Sequence, residues 1–581
     1  MTSPTPRTER QDTPDGEPRA VDLTGRWTDR LPGRALLSRH GIPSEVAAVT
    51  ILFALILGFW SVAVPRFRAP DEPAHLDLVL FLAEDYPYPQ FDGRFVGRAV
   101  GLSREPYLIA RDADWPKFSA DAAPPRAGRP DVWDLGGTDP DPGARATPSD
   151  AHLAGAPFVY NQQPQHPPLY YKAMALALRV ERFVVPGTRP PPLDRELAFL
   201  RLLNALLVCP LPALAWLTAK RMGAGHRAAL TASVLPLGLP QLTHIGSTLN
   251  NDNLLTLLAA VLAALLAGVA RGRRSAWTDL MVGATLGLAL LTKAFALTLV
   301  PWVIGAYALA WFAGSPHRRA VTIGLVRAGT LALVVGAWWW LRNLSRHGEL
   351  ASTSETFTRA TAHADGFEIN GVKFVGRFVV WMASRSWVWI GFRSPKVQLP
   401  GPLIAVLTVL ALAAVVIAVL TARRGPAVTG PRRRELLLAL VPITLLFVVV
   451  ARRAWGLHVT TGGYAFIQGR YLYAGIVPLM ALVAIGAHRV LGRRTPFALF
   501  ALSMLLQGWT LLRVLHTAWE GPSVLAQLDS MLAWNAWPAS VTVVMSFAAA
   551  AALIVAAQLI QRASRATESG REVEARREPA P

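Results

Sequence analysis

The sequence predicts an all-α polytopic membrane protein, and three observations carry the prediction. Of its 581 residues 52% are hydrophobic and only 17% charged, a balance foreign to soluble multidomain proteins. Apolar runs of about 20 residues, the length that crosses roughly 30 Å of hydrocarbon, recur along most of the chain. The basic residues behind the formal charge of +20 fall in short clusters between those runs, where the positive-inside rule places them, and this excludes a nucleic-acid surface. The only cysteine, Cys209, lies inside an apolar run, so a disulfide framework and a cysteine metal site are excluded too.

The first run, "VAAVTILFALILGFWSVAVP" (46–65), follows a polar tail over 1–45 and lacks a small-residue cleavage site, which predicts a retained span. Eleven more follow near 197–219, 228–248, 253–270, 277–292, 295–313, 320–341, 402–421, 436–451, 471–487, 496–515 and 538–560. A transmembrane domain over 46–560 is expected, closed by a second polar tail over 561–581. With both ends cytoplasmic, the short inner connections hold sixteen Lys and Arg against four in the outer ones, which sets the orientation. That reading lays "PPLYYKAMALALRVERFVVP" (167–186) on the outer surface, because Lys172, Arg179, Glu181 and Arg182 make it too charged to span easily.

Two long outer loops result, 66–196 and 342–401. In the first, residues 121–150 carry enough Pro and Gly to predict an irregular excursion. In the second, Phe374, Phe378 and Trp381 share one helical face, predicting an interfacial helix with its rings toward lipid and Lys373 and Arg377 toward anionic groups.

Ionisable groups at the membrane edge are costly unless paired, solvated or used. In this topology they gather on the outer side: Asp71, Glu72 and His75 after the first span, Asn161, Gln165 and His166 before the surface helix, Asn250, Asn251 and Asp252 opening the fourth span, Lys293 between the fifth and sixth, Arg342 and Asn343 after the seventh, and Gln468, Arg470 and Tyr473 at the tenth. Each has an ordinary alternative: a helix cap for Asp71 or Asp252, a snorkelling Lys293, an interfacial anchor for Arg342 or Arg470. Their shared side favours one cavity. Carboxylates accept a hydroxyl proton or hold a divalent cation, and cations bind phosphate, so the set suits displacement of a phosphate leaving group by an alcohol. Asp71, Glu72 and Asp252 are the oxygen ligands available to Mg2+ or Mn2+.

The motifs "APDEPAH", "HPPLYY", "NNDN", "WWWLRNLSRHGE" and "QGRYLYAGIVPL" resemble the bacterial membrane-protein family of domain of unknown function 2142, and more broadly the GT-C superfamily of membrane glycosyltransferases that use polyprenyl-phosphate-linked sugars. The resemblance spans roughly 46–515. It implies a GT-C-like bundle of about twelve spans with interfacial helices in both outer loops. It further implies transfer of a hexose or pentose to an envelope glycan, lipid or protein acceptor outside the cell membrane. Asp71 would be the catalytic base with Glu72 assisting it, Asp252 would shape the metal or acceptor site, and Lys293 with Arg342 or Arg470 would bind the donor phosphate. His75, His166, Tyr170, Gln468 and Tyr473 complete the expected substrate-binding set. The alternatives are a transporter or flippase of a lipid-linked or charged solute, a ligase or polymerase of lipid-linked glycans, and a scaffold. No internal repeat and no mid-membrane polar cluster supports a transporter.

Overall fold

A helix of 20 residues, nearly all apolar, opens the described chain: α1, Ser44–Ala63, follows the expected first span. The computed structural model describes residues 41–89, 117–121, 161–185, 192–313, 318–351, 367–391, 396–423 and 430–565. The 121–150 excursion, save its first residue, and almost all of both polar tails lie outside these residues. After α1 come α2, Glu72–Ala83; α3, Leu169–Val184; α4, Leu193–Val208; α5, Leu211–Arg221; α6, His226–Val234; α7, Pro240–Gly246; α8, Asp252–Val269; and α9, Ala276–Leu290. The second half continues with α10, Leu299–Phe312; α11, Arg318–Ala332; α12, Trp338–His347; α13, Gly371–Trp387; α14, Gly401–Thr421; α15, Arg433–Thr461; α16, Ile476–Leu491; α17, Thr495–Ala518; α18, Val524–Trp534; and α19, Ala539–Arg565. The strands β1, Trp389–Ile390, and β2, Val397–Gln398, form a small antiparallel pair with Trp389 opposite Gln398.

Among the described residues nine helical stretches are long and apolar enough to cross a membrane, one of them, Gly469–Ala518, holding both α16 and α17. The two remaining expected spans differ in form. α9 is apolar but only 15 residues long. The 228–248 run is broken, because Pro236 and Pro240 remove two amide donors and divide it into α6, a 3-10 turn over Leu235–Gly238, and α7. The break opens the chain just ahead of "NNDN", so that segment meets the ends of other helices rather than a continuous backbone ladder.

The 167–186 segment forms one helix: α3 buries Tyr170, Tyr171, Met174 and Leu178 and leaves Leu176, Val180 and Phe183 exposed. Its buried stripe joins Leu76, Val79 and Leu82 of α2 and Leu193, Leu197 and Leu200 of α4 in one apolar cluster. That cluster fixes α2 and α3 against α4. Elsewhere the backbones approach closely: a Cβ on Gly486 of α16 would collide with the Ala414 carbonyl of α14, so only glycine fits there.

The aromatic face of α13 corrects the sequence expectation. Phe374 and Phe378 are buried, and they pack on Trp455, His458 and Phe447 of α15 instead of facing lipid. Exposed Val372, Val375, Val379 and Val380 occupy the opposite side of the helix.

Candidate active site

Pro70 and Pro73 bracket Asp71, which occupies the N-cap position of α2 with a left-handed backbone, φ 60° and ψ 7°. A non-glycine residue in that region is held there by its surroundings, at a cost of about 1–3 kcal/mol. Asp71 makes no capping hydrogen bond. Its carboxylate turns away, where Arg470 Nη2 donates to Oδ2 at 2.6 Å and Gln162 Nε2 lies 3.5 Å from Oδ1. The Asp71 side chain is 32% exposed and the Arg470 side chain 5%. The acid therefore faces open space while its partner is sunk in the protein.

Glu72 points the other way. Arg201 of α4 donates to both of its oxygens, Nε at 2.8 Å and Nη2 at 2.6 Å, and the amides of Phe67 and Leu249 supply further bonds at 2.9 and 3.3 Å. Arg201 also binds the carbonyls of Ser61, Val64 and Pro65. Glu72 is 0% exposed and each of its oxygens accepts two hydrogen bonds. It is a clamp that closes the chain between α1 and α2, which corrects its expected role as an assisting acid. The clamp holds the turn in which Asp71 sits.

At the start of α8, Asp252 faces Lys293, whose Nζ donates to Oδ1 at 2.7 Å and to Asn251 Oδ1 at 3.1 Å. Asn250 Oδ1 caps the Asp252 amide at 2.8 Å, so the asparagine does the capping and the acid is left for ion pairing. Arg470 Nε lies 3.7 Å from Asp252 Oδ2. One guanidinium thus stands between Asp71 and Asp252. Arg470 comes from a tight 3-10 segment, Gly469–Gly475, whose first residue has room only for glycine's hydrogen: a Cβ on Gly469 would meet the backbone of Arg385 and Ser386.

Around this guanidinium two buried donors, Arg470 Nη1 and the Tyr473 hydroxyl, make no hydrogen bond, while Arg470 Nε has only its 3.7 Å ion-pair approach to Asp252 Oδ2. Unsatisfied buried donors cost about 1–3 kcal/mol each unless something fills them. Two open donors on and beside one buried cation fit an anion.

The histidines lie beside the same charged groups. His75 is buried, stacked on Tyr171 at 5.8 Å, with Nδ1 3.0 Å from the Tyr171 hydroxyl. That hydroxyl also meets Gln163 Oε1 at 2.9 Å and Asn251 Nδ2 at 3.3 Å, which ties α2, α3 and the "NNDN" segment together. Burial, then the charges of Lys293 and Arg470, hold the His75 imidazole well below its usual pKa, so it is neutral. His166 is lowered in the same way, by burial first and then by Lys293.

Other expected residues have quieter places. Tyr170 donates to Asn204 at 2.9 Å and belongs to the apolar cluster. Gln468 flanks the 3-10 segment, its carbonyl accepting from Tyr471 N at 3.2 Å. Asn161 holds Asp77 at 2.6 Å. Arg342 lies over the Trp339 ring at 4.7 Å, at the edge of the site, joined to it through Tyr88, which packs on Trp339 and donates to the His166 carbonyl. Sequence reasoning missed Arg201, Gln162 and Tyr171. A charged residue inside the apolar run "LAFLRLLNALLV" is the signal that marked Arg201.

A divalent cation on Asp71, Glu72 and Asp252 does not fit these residues. Each carboxylate is already neutralised by a cationic side chain, Arg470, Arg201 and Lys293 respectively. Among the described residues no group of three or more His, Cys, Asp or Glu side chains is arranged to hold a metal ion.

These features define an all-α, polytopic membrane protein with a buried carboxylate and cation cluster where several helix ends meet. The chain belongs to the family described as "Predicted membrane protein (DUF2142)", whose model matches residues 53–481. No curated protein matches it. Among solved structures it is similar to ArnT from Cupriavidus metallidurans bound to undecaprenyl phosphate, at 13% identity over 89% of this chain and 77% of that one, with a TM-score of 0.40. It is also similar to the Archaeoglobus fulgidus oligosaccharyltransferase tethered with an acceptor peptide, at 13% identity over 80% of this chain and 55% of that one, with a TM-score of 0.33.

Proposed function

We propose that this protein is a membrane glycosyltransferase, related to the GT-C superfamily, that moves a sugar from a polyprenyl-phosphate donor to an extracytoplasmic acceptor. The reading rests above all on Arg470, a buried guanidinium that holds the partly exposed Asp71 with Nη2, approaches Asp252 with Nε, and keeps Nη1 without a hydrogen bond. A base beside a buried cation with an open donor is what an alcohol needs to displace a phosphate.

In this mechanism the donor's prenyl tail stays in the bilayer and its phosphate takes the open Nη1 of Arg470, with Lys293 adding positive charge and the Tyr473 hydroxyl a further donor. The acceptor hydroxyl approaches the anomeric carbon from the face opposite the phosphate. As the new carbon–oxygen bond forms, Asp71 takes the hydroxyl proton. The bond to the phosphate oxygen breaks in the same step, and the negative charge left on the polyprenyl phosphate is met by Arg470 and Lys293. The anomeric configuration inverts in a single displacement, and no sugar becomes bonded to the protein. Neutral His75 and His166 line the site without adding charge. Cationic side chains supply the neutralisation throughout, and no step runs through a metal ion.

The test is a deletion strain complemented with the wild-type chain. The expected result is loss of one specific sugar from an envelope glycan, lipid or protein, accumulation of its polyprenyl-phosphate donor, and restoration of both by complementation. Unchanged envelope sugars with an altered distribution of a lipid-linked solute across the membrane would instead support a transporter.

A further inference from the structure

α13 and the β pair carry a row of alternating rings and cations that the proposed chemistry does not use. Arg377 lies 4.5 Å from the Tyr464 ring and 5.5 Å from Trp381. Arg385 lies 4.5 Å from both Trp381 and Trp389, and Lys396 lies 4.9 Å from Trp389. Three cations and three rings therefore form one continuous ladder. Among the described residues these cations have no carboxylate partner, and the Arg385 Nε is buried without a hydrogen bond.

Helical geometry sets the direction of the ladder. At 100° per residue, Arg377, Trp381 and Arg385 follow one another at i, i+4 and i+8 along one ridge about 12 Å long, while the exposed Val372, Val375 and Val379 lie on the far side of the helix. A membrane that receives the valines leaves the ladder facing away from the acyl chains. The middle cation of the ladder touches the active-site segment: Arg385 Nη1 donates to the Ile467 carbonyl, and the Arg385 backbone is the wall that restricts Gly469, the residue before Arg470.

We infer that this ladder is a binding track for an anionic glycan chain, the acceptor of the transfer. The acceptor role rests on the glycosyltransferase reading, and the ligand class rests on the ladder alone. The donor brings one phosphate, which Arg470 and Lys293 already serve. Three further cations without carboxylate partners, spread over more than about 12 Å, match a ligand with several spaced negative charges. A guanidinium over a ring keeps its N–H edge for carboxylate or phosphate oxygens, and the indole borders offer apolar surface to sugar rings.

The full chain in phosphatidylcholine nanodiscs tests this with three probes: a galacturonic acid oligosaccharide, a glycerol-phosphate oligomer and an uncharged dextran oligosaccharide. Binding of one of the two anionic chains without binding of dextran is expected, and its identity distinguishes carboxylate from phosphate as the charged group. The exposed-site variant Arg377→Glu with Lys396→Glu is expected to weaken that binding at least about tenfold while leaving undecaprenyl phosphate binding unchanged. This second measurement also reports that the variant is folded. Binding of neither anionic chain, or equal binding by wild type and variant, overturns the inference, as does a variant that loses only attachment to phosphatidylglycerol vesicles. Glycan binding is read without turnover, so its failure beside an intact Asp71-dependent transfer removes the track and leaves the glycosyltransferase reading standing.

Discussion

Arg470 Nη2 lies 2.6 Å from Asp71 Oδ2 although 399 residues separate the two in the chain. The pair joins the turn between α1 and α2 to the segment that leads into α16, and it sets the acid of the site against the cation that has most left to bind.

Arg470→Lys is expected to weaken undecaprenyl phosphate binding about tenfold or more. A lysine keeps the charge but offers no planar fork with which to hold Asp71 and a phosphate together. Titration of the lipid phosphate against purified wild type and variant checks this, and equal affinities would remove Arg470 from the anion site.

Glu72 and Arg201 are fully desolvated and bonded through two parallel hydrogen bonds. Removing one member leaves an uncompensated buried charge, so Glu72→Gln or Arg201→Met is expected to destabilise the fold by about 3–5 kcal/mol. The double variant, with both charges gone, is expected to lose less than the sum of the two. Denaturation of the four proteins in detergent measures the coupling, and strict additivity would contradict the clamp.

The histidines predict a pH dependence of definite sign. His75 and His166 have folded pKa values lowered by burial and by Lys293, whereas an unfolded histidine titrates near the ordinary 6.5. Below about pH 6.5 the unfolded state therefore takes up protons that the folded state refuses, and stability falls with falling pH. Thermal midpoints from about pH 8 to about pH 5 are expected to fall in the lower half of that range, and the decline is expected to be smaller in His75→Gln.

Gly469→Ala places a methyl group against the Arg385 and Ser386 backbone, which has no room to yield as a side chain would. The expected outcome is displacement of the 3-10 segment and loss of lipid phosphate binding, more severe than Gly508→Ala, where a Cβ meets open space. Paired binding measurements on the two variants separate crowding from a general cost of losing glycine.

The spans were legible because crossing hydrocarbon demands about 20 apolar residues in a row, and each expected run has a helical counterpart in the structure. The 228–248 run misled only in its continuity: its hydropathy is that of a span, while Pro236 and Pro240 decide that no single helix forms. The polar residues of the site were legible one by one, since each is costly near lipid. Their pairing was not. Nothing in the string "DEPAH" distinguishes Asp71, which faces Arg470, from Glu72, which faces Arg201, because the choice is made by the left-handed turn at Asp71. The ring stripe of α13 suits an interface by composition alone, yet Phe374 and Phe378 stack on Trp455, His458 and Phe447 of α15, and the smaller valines are left outside.

In the proposed transfer Asp71 takes the acceptor proton. The substitution Asp71→Asn keeps the size of the side chain and the left-handed backbone, which asparagine tolerates, while removing the charge and the basicity. The decisive measurement compares this variant with wild type, at matched levels in the membrane of the deletion strain, by the rate at which sugar leaves the polyprenyl-phosphate donor for the envelope acceptor. The expected rate is lower by about 10²–10⁴, with donor accumulating. A variant that transfers sugar as fast as wild type would contradict it.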